Sequence, residues 1–157
     1  MKQALLTLLF ALAISMEGRA QVAKVYDETL DPMQQIDKAL DKARQSHRHV
    51  ICQLGGNWCP WCLRFADFIT KDSDIVAVIR DNYEYIHVNY PRRDAAQPLK
   101  ARLHNAGRFG YPVFVVLSPE GEVLHIQDSS FLEEGNSYNK DKVLRFLKGW
   151  TPEACTP

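Results

Sequence analysis

The stretch Val50-Ile51-Cys52-Gln53-Leu54-Gly55-Gly56-Asn57-Trp58-Cys59-Pro60-Trp61-Cys62 decides the fold. Val50 to Leu54 is a brief run closed by two glycines, and a run of that length bounded by a turn signal reads as a buried strand. Trp58 to Cys62 then opens a helical pattern carried on by Phe65, Phe68 and Ile69. Cys-x-x-Cys at a helix start places Cys59 where unsatisfied backbone N–H groups and the helix dipole favour negative charge. The thiolate is the reactive form of cysteine, and such positions bring its pKa to roughly 3.5–7.5. Cys62 lies one turn further on, close enough to attack a mixed disulfide formed on Cys59. Pro60 suits the first turn, where its missing N–H costs nothing. The pair therefore reads as a redox couple, Cys59 the nucleophile and Cys62 the resolving thiol.

Working outward, Asp31-Pro32 is a helix-start signal, and Ile36, Leu40 and Ala43 recur at helical spacing, so Pro32 to Ser46 is expected as an amphipathic helix ended by His47-Arg48-His49. Ser73 is expected to cap a helix over Asp74 to Arg80, and Tyr85 to Asn89 reads as a strand. Pro91 to Pro98 is a polar connection, followed by a helix over Leu99 to Asn105 that Gly107 should end. Val113 to Leu117 is the strongest strand pattern in the chain. Pro119-Glu120-Gly121-Glu122 should turn it into a partner strand over Val123 to Ile126. Asp128 to Asn139 reads as a polar loop, and Lys140 to Trp150 as a last helix burying Val143, Leu144, Phe146 and Leu147. Strands alternating with helices point to one α/β layer architecture, without internal repeat or linker.

Two separated motifs resemble the thioredoxin superfamily: Trp58-Cys59-Pro60-Trp61-Cys62, and Gly110-Tyr111-Pro112-Val113-Phe114-Val115 some fifty residues later. The resemblance spans about Pro32 to Trp150. It implies a thioredoxin-like α/β fold, a central mixed β-sheet flanked by helices on both faces. It also implies a cis bond before Pro112, packed beside the active-site disulfide, with Tyr111 offering its backbone to an extended substrate. The implied activity is thiol–disulfide exchange with exported protein substrates, and the implied substrate groove is Trp58, Pro60, Trp61, Tyr111 and Pro112. No bound cofactor is implied, because the Cys59–Cys62 pair is itself the redox centre. Electrons would then come from, or go to, a membrane or soluble redox partner. Two departures stand out. The family commonly places a buried carboxylate six residues before the first cysteine, and here Gln53 stands there, which cannot accept a proton at neutral pH. The intervening Pro60-Trp61 resembles the Pro-aromatic pair of glutaredoxins, and Trp61 offers no charge to a thiolate, so the expected potential is intermediate, roughly −230 to −150 mV.

The chain has 157 residues, enough for one domain with its own core. Its 19 basic and 19 acidic side chains cancel, which argues against holding nucleic acid or an anionic membrane by bulk charge. Lys2, the apolar run Ala4 to Ile14, and the small residues Gly18 and Ala20 form the pattern of a cleavable signal peptide over 1–20, leaving 21–157 as a single exported domain. A membrane anchor is disfavoured because the run falls short of the roughly 20 residues that span a bilayer. A lipoprotein is disfavoured too, the first cysteine being Cys52. Other readings weigh against the redox one. Cys-x-x-Cys can be half a zinc site, with Cys52, His47 and His49 nearby, although Cys52 fits a buried small hydrophobe better. Cys155 in the tail, His87, His104, His125 and Arg92-Arg93 read as incidental or structural. Trp58, Trp61, Phe109 and Tyr111 could be ordinary packing, but the motif brings Trp58, Trp61 and Tyr111 around one thiol, which favours a groove. A thioredoxin fold serving only as a binding module, chaperone or adaptor is the alternative function. A monomer is expected in either case.

Overall fold

The computed structural model describes residues 24–90 and 97–157. The segment 1–20, expected to be a signal peptide, and the pair Arg92-Arg93 lie outside them. The helix α1 (Pro32–Ser46) starts as its sequence dictates: Asp31 caps it by accepting the Gln34 N–H at 2.9 Å, and Pro32 fills the first turn. Its 3.6-residue spacing buries Ile36, Ala39, Leu40 and Ala43 along one stripe. It ends at His47, which adopts the left-handed conformation with φ 54°.

Strand β1 (His49–Gly55) is buried along its whole length. It pairs in parallel with β2 (Tyr83–Asn89) and antiparallel with β3 (Val113–Leu117), and β3 pairs antiparallel with β4 (Val123–Asp128). The sheet order is β2-β1-β3-β4, so the sheet is mixed. The two-residue strand period sends Val50, Cys52, Leu54, Val113, Val115 and Leu117 to one face, where α1 and α4 (Gln97–Arg102) cover them. Ile51, Phe114 and Val116 go to the other face, under α2 (Pro60–Lys71), α3 (Ser73–Asn82) and α5 (Lys140–Gly149). A strand buried on both faces reads as a continuous apolar run, which is why β1 and β3 were legible.

Three expectations need correction. Helix α3 is capped by Asp72, whose Oδ1 accepts the N–H groups of Asp74 at 3.0 Å and Ile75 at 3.2 Å; Ser73 is the first helical residue. Helix α4 runs over Gln97–Arg102, and Gly107 does not end it. The chain turns at His104 and Asn105, both left-handed, and Gly107 lies inside a 3-10 turn over Ala106–Phe109. The segment Asp128 to Asn139 is no plain loop. It holds a 3-10 turn, Ser129–Leu132, and a small hairpin of β5 (Glu133–Glu134) and β6 (Ser137–Tyr138). Its polar composition concealed Tyr138, whose ring meets Phe65 edge-on at 4.7 Å and whose hydroxyl donates to Trp61 O at 3.1 Å. That one aromatic anchors α2 from the far side.

Candidate active site

The end of β1 delivers the cysteines. Gly55 is required there: a Cβ would lie 2.4 Å from Cys62 Sγ and 2.9 Å from Tyr26 Oη, closer than atoms approach without displacement. Gly56 is under the same constraint, with the Trp58 ring 2.2 Å from its missing Cβ. Cys59 then caps α2 with extended backbone, and its Sγ accepts the Cys62 N–H at 3.2 Å. The two cysteines are joined as a disulfide, their Cα atoms 5.2 Å apart. Cys62 is wholly enclosed and Cys59 keeps 5 % exposure, so only Cys59 reaches the surface.

Around the pair the structure gathers Trp61 and Tyr111, both packed against the cysteines, and Trp58, whose ring meets Tyr111 edge-on at 5.4 Å. Pro60 lies exposed in the first turn of α2. The Tyr111–Pro112 peptide bond is cis, and Pro112 is buried. Phe109 is exposed and carries the Arg108 guanidinium over its ring at 4.2 Å. Trp61 carries no charge of its own, but it has a cation as neighbour. Arg64 sits over its ring at 4.4 Å, a cation one helical turn along that the i, i+3 spacing could have revealed.

Gln53 is fully buried beneath the first turn of α2. Its Nε2 donates to Cys62 O at 3.1 Å and to Tyr26 Oη at 2.7 Å, and its Oε1 accepts the Tyr85 hydroxyl at 2.6 Å. The amide thus engages the backbone of Cys62. Tyr26 was not anticipated. It reaches the site because Asn57, two residues before Cys59, clamps its main chain: Oδ1 accepts the N–H groups of Val25 and Tyr26, and Nδ2 donates to Tyr26 O at 2.8 Å. Nothing in a local pattern marks a contact across 31 residues. Burial pushes the Tyr26 and Tyr85 hydroxyls well above the ordinary phenol range.

The other cysteines and histidines do not converge on the pair. Cys52 points into the opposite core, where burial pushes its thiol up to about 12, and Cys155 is exposed near the C-terminus. His49 pairs through Nδ1 with Trp150 O at 2.9 Å, and His125 stacks on the Trp150 ring at 4.3 Å. Among the described residues no group of His, Cys, Asp or Glu is arranged to hold a metal ion.

His87, beside Gln53 in the β1–β2 register, meets the rings of Tyr26 and Tyr85 edge-on, its centroid 5.4 Å from each of theirs, with Nε2 buried and unpartnered. Burial holds its pKa down at about 4. A depressed histidine contributes stability that is complete above the unfolded pKa, near 6.5, and is lost as pH falls through the folded value. Acidification from pH 7 to pH 4 should therefore cost up to about 3 kcal/mol through this residue. Urea denaturation of His87→Phe should show a flatter decline over that range, and parallel declines would refute the assignment.

The family model for thioredoxin-like proteins matches residues 31–119. The chain belongs to the thioredoxin-like family. A curated relative, the disulfide bond reductase DsbH of Chlamydia pneumoniae, is 26% identical over 96 residues, 55% of this chain. The match spans only 56% of that relative's length. Among solved structures, a disulphide isomerase from Xylella fastidiosa Temecula1 superposes with a TM-score of 0.67 at 24% identity, covering 78% of this chain and 93% of its own. A thioredoxin from Thermus thermophilus gives 0.52 at 21% identity, over 71% of this chain and 80% of its own. At such identities the structural likeness speaks for the fold.

Proposed function

We propose that the protein is a thiol–disulfide oxidoreductase acting on exported proteins, with Cys59 and Cys62 as its catalytic pair. The observation that carries this is the Cys59–Cys62 disulfide at the N-terminus of α2, Cys59 keeping the slight exposure of the pair beside an aromatic wall and Cys62 enclosed. In the reducing direction the Cys59 thiolate attacks a substrate disulfide, and one substrate sulfur leaves as a thiolate that takes a proton from water. The Cys62 thiolate then attacks Cys59 Sγ, releasing the second substrate thiolate and closing the Cys59–Cys62 bond. The substrate has gained two electrons, and a membrane or soluble thiol partner restores the pair. Run backwards, the same steps oxidise a dithiol. Trp58, Pro60, Trp61, Tyr111 and Pro112 form the substrate wall, with Tyr111 offering main-chain groups to an extended segment. The redox centre needs no further cofactor. The first twenty residues support removal of a signal peptide and export of 21–157 as one monomeric domain. The names of the Chlamydia and Xylella relatives support the reaction class.

An insulin-reduction assay with dithiothreitol tests this. Faster precipitation than dithiothreitol alone is expected, and no acceleration would leave only a binding module or adaptor. The remaining cysteines should be dispensable. Cys52→Ala should keep full turnover while costing about 1 kcal/mol of stability for the lost buried sulfur, and Cys155→Ala should change neither. Reduced turnover in either variant would mean a further redox step.

A further inference from the structure

Tyr26 lies where a side chain could act on Cys62, and its ring is fully buried. Its hydroxyl oxygen already accepts a hydrogen bond from Gln53 Nε2. The hydroxyl hydrogen is therefore directed elsewhere, and among the described residues no partner accepts it. Cys62 Sγ and Tyr26 Oη converge on the space that the missing Gly55 side chain leaves open. We propose that Tyr26 is a positioning residue for the resolving step, its hydroxyl donating a hydrogen bond to Cys62 Sγ when that sulfur becomes a thiolate; this rests on the redox reading of the pair.

A disulfide sulfur is a weak acceptor, so the bond has little to gain in the oxidised state. A thiolate is a charged acceptor, and a hydrogen bond to it is roughly twice as strong as a neutral one. The enclosed site otherwise disfavours that charge through desolvation. The titratable and charged groups around Tyr26 do not replace its donor. His87 and Tyr85 approach from β2, His87 edge-on to the ring and Tyr85 through Gln53. Arg64 is stacked on Trp61, and Tyr138 is bonded to Trp61 O. Lys24 and Glu28, on either side of Tyr26 in the chain, pair with each other at the surface. Burial keeps the Tyr26 phenol protonated, so it acts as a donor throughout and keeps its own proton. The Cys62 proton goes to water, the Cys62 thiolate attacks Cys59 Sγ, and the departing substrate thiolate takes a proton from water.

Tyr26→Phe removes the hydroxyl and keeps the ring. In a Cys59→Ser background, the ultraviolet thiolate absorbance of Cys62 should titrate roughly one pH unit higher after this change. In the full cysteine pair, resolution of a glutathione mixed disulfide on Cys59 should slow roughly three- to fourfold near neutral pH, because tenfold less thiolate is partly offset by a more nucleophilic sulfur. The first attack by Cys59, followed in Cys62→Ser, should not change. Should Tyr26→Phe fail to fold, fluorotyrosine placed at position 26 decides the matter: a more acidic donor of the same shape should move the Cys62 titration downward. An unmoved titration, or an equal slowing of the first attack, overturns the role. The titration needs no turnover, so it stands apart from the insulin assay, whose failure would sink the redox reading itself.

Discussion

Cys59→Ser should reduce disulfide exchange to the uncatalysed background, whereas Cys62→Ser should keep the first attack and accumulate mixed disulfides. The asymmetry follows from where α2 begins. Cys59 caps the helix, its sulfur accepts the Cys62 N–H, and it keeps the only exposure of the two. A serine hydroxyl at the same cap preserves the hydrogen bond but offers no thiolate, so helix stability should barely change while the nucleophile is lost. Cys62 is shut in by Gly55, Tyr26 and Trp61, and no substrate sulfur approaches it directly. Non-reducing electrophoresis of Cys62→Ser with a protein disulfide should show a persistent adduct that dithiothreitol removes. Alkylation of the reduced protein at mildly acidic pH should label Cys59 first. Labelling of Cys62 before Cys59 would reverse the roles.

Much of this site was legible because its determinants are local. A strand buried on both faces, a glycine turn and a cysteine at a helix start all lie within thirteen consecutive residues, and each carries its own steric or electrostatic cause. The mixed sheet with helices on both faces was implied by the family resemblance, and the structure has it. What escaped depends on long-range contact. Tyr26 is a single aromatic in a polar segment and becomes part of the site only because Asn57 holds its main chain. Tyr138 sits in a stretch whose composition says loop, yet it supports α2 through Trp61 O and Phe65. The Asp72 cap was missed for a different reason. Aspartate and serine both cap helices well, and the choice between adjacent candidates turns on one residue of chain direction.

Gln53→Glu should trade stability for a faster resolving step. The amide gives one hydrogen bond to Cys62 O and one to Tyr26 Oη, and a carboxylate can give neither. Ionised, it would set a charged oxygen against the Cys62 carbonyl in a fully buried place; protonated, it could still donate there. Its folded pKa should therefore lie above the unfolded value of about 4.3. The sign follows from proton binding. Below that value both states are protonated and the variant suffers little. As pH rises the unfolded chain ionises first, so the penalty grows to about 3 kcal/mol near pH 7 if the buried group titrates near neutrality. That same raised pKa suits a proton acceptor for Cys62, and positioned bases commonly accelerate proton transfer a hundredfold or more. The hydrogen-bonded atom of Cys62 is its carbonyl oxygen, so in this variant the expected route from its sulfur runs through Tyr26: the thiol proton to Oη as the hydroxyl proton passes to the carboxylate. Stopped-flow resolution of the mixed disulfide should quicken by roughly tenfold or more at pH 7, and adding Tyr26→Phe should remove most of the gain. An unchanged rate and pH profile in a folded Gln53→Glu variant would show that Cys62 loses its proton straight to water.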